Sequence, residues 1–184
     1  MDGVACVLTY EHYFYKQWNT ENKAVLLGDI DAESLFVLNE LWLSLPSSIW
    51  SNDDDVCLLD FGEMRGLPDF VSAERVRKVI DHRSFVKYEQ FPNAQFQIEL
   101  VWSATTLIAE KFQFEWVPIE PKYASLLYCW IISNTLNLKA HVTSLRDRRS
   151  CERLLSKWAD VKVAEQMLHV RSDYIINNLE HSIA

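Results

Sequence analysis

From Lys122 to Ala184 the chain has no glycine and no proline, and its apolar residues recur at helical spacing. Glycine and proline are the main interrupters of regular structure. The pattern therefore predicts helix after helix. Tyr123 to Leu138 is apolar almost all round, as a central buried helix is. Between Ser144 and Trp158 the apolar arc is Leu154, Trp158, Cys151 and Leu155, with Arg146, Arg149, Arg153 and Lys157 roughly opposite. From Val161 to Leu179 the arc is Val161, Ala164, Met167, Leu168, Val170, Tyr174, Ile175 and Leu179. The two arcs are offset, so one straight helix would present two different faces. This predicts a break at Ala159–Asp160, with Asp160 capping the second helix.

The first two thirds of the chain read as mixed strand and helix. Val4 to Tyr10 and Tyr13 to Trp18 are rich in β-branched and aromatic residues, which predicts strands. Ala24 to Leu27 is a further apolar run. Asp31 is placed to cap a helix from Ala32 to about Leu45, stopped by Pro46. Val56 to Phe61 reads as a buried strand ended by Gly62 and Gly66. Ser72 can cap a short helix, Ala73 to His82. Phe85 to Phe91 reads as a strand. Ala94 to Trp102 alternates apolar and polar with period two, as does Phe112 to Trp116, and both read as strands. Strands first and helices last predict a single α+β domain. Its mixed part is 1–121 and its all-helical part 122–184, with a mostly antiparallel sheet packed against a C-terminal helical layer.

Charge changes this picture unevenly. The chain of 184 residues carries −8 overall, but residues 1–64 hold twelve acidic residues against Lys16 and Lys23. The remainder is close to neutral. An acidic head argues against non-specific nucleic-acid binding there and suits a basic protein partner. The four cysteines have no zinc spacing and read as reduced, buried thiols. No signal peptide or membrane-spanning run is visible, so a cytoplasmic protein is expected.

Candidate chemistry is sparse. There is no GxSxG, no Walker A and no GxGxxG. With four glycines the chain lacks loops that let backbone approach phosphate closely. The strongest catalytic candidate is Asp60-Phe-Gly-Glu63, because two carboxylates at a strand end can hold Mg²⁺ for phosphodiester cleavage. It lacks visible convergent ligands, so no metal, cofactor or catalytic residue is assigned. His12, His82, His141, His169 and His181 share no metal-ligand spacing and read as structural or surface residues.

The expected binding residues are the acidic loop Asp53, Asp54 and Asp55, and the basic face Arg146, Arg149, Arg153 and Lys157. Arg171 and Asn178 join them, because they interrupt the apolar arc of the last helix. A charge there is costly unless paired. Arg171 therefore meets a core carboxylate or marks an interface, and a homodimer through this helix is an option. The expectation is a small non-catalytic intracellular protein of inhibitor or immunity type that neutralises a macromolecular partner. The alternatives are a nucleic-acid-binding module using the basic helix face and a metal-dependent nuclease centred on Asp60 and Glu63.

Overall fold

A computed structural model describes the backbone of residues 2–46, 54–83 and 86–183, with side chains through Ser172. Six α-helices and three strands are present among them: α1 (Asp2–Lys16), α2 (Ala32–Glu40), β1 (Val56–Leu59), β2 (Val76–Asp81), β3 (Gln95–Ile98), α3 (Ala104–Phe114), α4 (Pro121–Asn134), α5 (Leu145–Ser156) and α6 (Val161–Ile183). The α+β expectation holds. The mostly antiparallel sheet does not, because β1, β2 and β3 lie side by side in that order and both pairings are parallel. Parallel neighbours are buried on both faces, so their side chains need not alternate with polar ones.

That burial explains the largest misreading. Val76, Val79 and Ile80 have the i, i+3, i+4 spacing of a helix, yet they lie on β2. Val79 packs into one core and Ile80 into another, on opposite faces of the sheet. Only Ala73–Arg75 is helical, as a single 3-10 turn. The expected N-terminal strands are instead α1. Its buried residues Val4, Ala5, Leu8, Thr9, His12 and Tyr13 follow a helical stripe that outweighs the β preference of individual residues. The alternation of Phe112, Phe114 and Trp116 belongs to the end of α3. Phe112 is buried there, whereas Phe114 and Trp116 are exposed. The expected strand at Phe85–Phe91 contains a 3-10 turn, Tyr88–Gln90, and Phe85 lies outside the described residues.

Helix starts were more legible than helix ends. Asp31 caps α2 by accepting from the Ser34 backbone N–H at 2.9 Å. However, α2 ends at Glu40, and Trp42 takes a left-handed φ of 53°. Ser144 and Asp147 form a reciprocal capping box at α5. The expected break is present: α5 ends at Ser156, Trp158 is left-handed, and α6 begins after Asp160. The Asp160 carboxylate accepts from the Lys162 N–H at 2.9 Å. No helix among the described residues is long and apolar enough to cross a membrane.

The main core lies between the helices and one face of the sheet. Trp130, Leu126, Leu127 and Ile131 of α4 form its buried centre, so α4 is the central helix its composition predicts. A smaller core on the opposite face joins Leu58, Val76 and Val79 to Leu67, Val71, Val86 and Phe91 from the connecting segments. The sheet is thus held on both sides, and its strands all finish on the same rim.

Candidate metal centre

Three side chains converge at that rim. Asp60 follows β1, His82 follows β2, and Asp2 opens α1. One ligand atom from each lies within 4.8 Å of the others. In open parallel sheets the C-terminal ends of strands are the usual place for a ligand site. Two carboxylates and an imidazole suit a divalent transition-metal ion. The donor set therefore fits such an ion on its chemistry.

Local structure aims each donor. Asp60 adopts φ 56°, a conformation that Asp tolerates better than most residues. Its backbone N–H donates to Ile80 O at 2.9 Å, which holds the strand end against β2. Gly62 gives the next turn the room it needs. A Cβ there would lie 2.7 Å from Val86 Cγ2 and 3.0 Å from Asp81 Oδ2.

His82 has one ring nitrogen, Nδ1, 3.2 Å from Val101 O. Without a metal, Nε2 lies 3.4 Å from Asp60 Oδ1 and its proton can point at that carboxylate; donation through Nδ1–H would leave the Nε2 lone pair for an ion. Asp81 is buried and braces the turn. It accepts from the backbone N–H groups of His82 at 2.7 Å and Arg83 at 3.1 Å. The Arg83 guanidinium completes the brace with two 3.0 Å bonds to the Asp81 carboxylate and a further bond to Asp60 O.

Asp2 is buried, and it accepts from Ser103 Oγ at 2.9 Å and from Ala104 N–H at 2.7 Å. Ala104 opens α3, so the carboxylate also sits at a helix N-terminus. Asn134, the last residue of α4, donates to the same Ser103 hydroxyl at 3.3 Å. Burial raises the Asp2 carboxyl to about 7, and the charge of Asp60 adds to the rise. Burial works against a charged His82, but its bond to Asp60 and the charges of Asp2 and Asp60 hold its pKa above the usual value.

Of the sequence candidates, Asp60 enters this cluster and Glu63 does not; Glu63 is exposed on the following turn. Asp2 and His82 were missed. Asp2 looked like a chain end, and His82 looked like the end of a helix that is in fact a strand. The legible signal was an acidic or imidazole residue directly after each buried apolar run.

The expected binding residues are scattered. Asp55 pairs with Arg75 and Arg77. Asp54 is exposed beside it, and Asp53 lies outside the described residues. Arg146 is not part of a free basic face, because Glu99 and Glu110 both bind it. Arg149, Arg153 and Lys157 are exposed. Arg171 meets a core carboxylate, with Nε 3.4 Å from Glu33 Oε1, and it donates to Ser133 Oγ at 2.9 Å. The Asn178 side chain lies outside the described residues. All four cysteines are free, and burial pushes the thiols of Cys57, Cys129 and Cys151 up to about 12, which leaves them unreactive.

No family model matches the chain. Curated proteins from Staphylococcus aureus strains JH9 and Mu50, each named "Probable manganese-dependent inorganic pyrophosphatase", are 26% identical over 155 residues. The match covers 83% of this chain and 50% of each relative, so the chain spans about half the length of the curated relatives it matches. A crystal structure from Methanococcus jannaschii, provisionally titled a family II inorganic pyrophosphatase, has a similar fold. The TM-score is 0.76 at 22% identity, covering 92% of this chain and 56% of that one.

These findings overturn the expected non-catalytic inhibitor or immunity-type protein, and with it both alternatives, the nucleic-acid-binding module and the nuclease. The relatives are named as enzymes, and their named substrate is a small inorganic anion rather than a protein or nucleic acid. The protein, nucleic-acid and homodimer partners lose their support in the same way. Two of the charges invoked for them, Arg146 and Arg171, are instead paired with carboxylates of the fold.

Proposed function

We propose that this chain holds Mn²⁺ at Asp2, Asp60 and His82 and contributes to the hydrolysis of inorganic pyrophosphate. The observation that carries this reading is the convergence of those three donors on one rim of the parallel sheet. The names of the curated relatives supply the substrate and the metal. When bound, the metal would polarise a phosphoryl oxygen as a Lewis acid.

The chain's own residues do the rest. Asp2 and Asp60 supply negative charge, and donation from His82 Nδ1–H to Val101 O would leave Nε2 for the ion. Asp2 keeps its proton up to about pH 7 and releases it when a cation arrives, so metal affinity rises with pH through that range. Arg83 is half exposed beside Asp60, and it holds Asp81 through Nε and Nη2. A guanidinium in that position can pair with a phosphate oxygen.

The test is a Mn²⁺ titration of the purified chain by calorimetry and electron paramagnetic resonance, followed by an assay of phosphate release from pyrophosphate. The parent should bind Mn²⁺ and release phosphate only in its presence, and Asp60→Asn should lose both. A parent that fails to bind Mn²⁺, or an Asp60→Asn chain that binds it equally well, would overturn the reading.

A further inference from the structure

A cavity of about 420 Å³ lies between α3 and α5 and uses none of the metal-centre residues. Two facing stripes build it. Ala109, Phe112, Gln113 and Trp116 recur at i, i+3, i+4 and i+7 along and just past α3. Ser150, Arg153, Leu154 and Lys157 recur with the same period along α5 and its end. Residues at this spacing share one helix face. Phe112 and Leu154 are buried and give the cavity an apolar floor. The segment Val117–Ile119 closes another side.

Three polar features are unspent. Ser150 is 2% exposed, yet its Oγ has no hydrogen-bond partner among the described residues. Gln113 Oε1 is also buried without a partner, and with its amide turned the side chain could donate instead. Arg153 and Lys157 have no carboxylate partner among the described residues, whereas Arg146 on the same helix has two. Buried polar atoms are rarely left unpaired. An apolar cleft of a few hundred Å³ with a few convergent polar groups is the ordinary form of a small-molecule site.

We infer that this groove binds a small organic carboxylate with an apolar body, its chain between Phe112 and Leu154 and its charge met by Arg153, Lys157 and the Ser150 hydroxyl. Two adjacent cations match one carboxylate. The apolar floor favours an aliphatic or aromatic body over inorganic phosphate, so this site is separate in chemistry from the metal centre.

Decanoate is a suitable probe, followed by calorimetry and tryptophan emission on the whole chain. The expected result is one decanoate per chain, with an emission change that is lost in Trp116→Phe. The double variant Arg153→Glu, Lys157→Glu should bind at least about tenfold more weakly. Decyltrimethylammonium, with the same body and opposite charge, should not bind. Ala109→Trp fills the cavity and should abolish binding in a chain whose surface charge is intact. No binding at about 1 mM decanoate, the weakest affinity of interest, would overturn the inference. So would an unchanged affinity in either the charge-reversed or the cavity-filled variant.

Discussion

Two of the places where the described residues bring buried charge together from distant parts of the chain are balanced differently. Glu33 of α2 meets Arg171 of α6 and accepts from Ser133 of α4 at 3.1 Å. Burial raises the Glu33 carboxyl, while Arg171 and Ser133 pull it back. One anion thus faces one cation. At the strand rim, Asp2 and Asp60 face each other across His82, and the nearby Arg83 is already engaged by Asp81. Once Asp2 loses its proton, near pH 7, two carboxylates share one imidazole and the cluster is short of positive charge. A buried ion pair that is complete ties elements together, whereas a buried cluster short of positive charge asks for a cation. The first locks α2 to α4 and α6; the second is where a ligand belongs.

The sharpest way to break this contrast is at Asp60. Asp60→Asn should weaken Mn²⁺ binding by at least about 100-fold in calorimetry, since a direct ligand is worth more than the residues that orient it. In the metal-free chain it removes only the partly exposed contacts with His82 and Arg83, so stability should fall by no more than about 1 kcal/mol. A large fall in stability would show that Asp60 is held for structure, as Glu33 is.

Arg171→Met makes the reverse prediction. It strands Glu33 in the core and should cost about 2–3 kcal/mol in denaturant unfolding, discounted because the guanidinium is partly exposed. Mn²⁺ affinity should hold. Gly62→Ala tests how tightly the rim is built. The added Cβ presses on Val86 and Asp81, so a loss of about 1–3 kcal/mol is expected, with weaker Mn²⁺ binding because Asp81 braces His82.

The smallest effect concerns pH. The Asp2 carboxyl rises from 3.8 to about 7 on folding, so between those values the folded chain holds more protons than the unfolded one. Its contribution to stability is complete below 3.8 and is lost as pH rises through about 7. Without metal, Asp2→Asn should therefore be less costly at pH 8 than at pH 5. Equal penalties in melts at the two pH values would count against a cluster short of positive charge.

Residue pattern carried some of this and not the rest. The capping residues Asp31 and Ser144, the buried α4 and the break before α6 were legible because each is set by neighbours in sequence. β2 was not, since burial on both faces gave Val76, Val79 and Ile80 a helical spacing. That error hid the site: with β2 read as a helix, His82 fell at a helix end and could not share a rim with Asp60. Asp2 was illegible for a different reason. Its partners Ser103 and Ala104 lie at the start of α3, and no local spacing connects them to it. Arg171 was flagged correctly as a charge needing a carboxylate, but only the packed structure names Glu33.

The donors of the metal centre come from the start of the chain, from the end of β1 and from the end of β2, and Asp2 rests on Ser103. No hairpin or single helix can assemble them. Contacts so remote along the chain close late and slowly in folding. Mn²⁺ capture should thus be a kinetic reporter. During refolding, metal-dependent signal should develop with the slowest phase, after helical structure has formed.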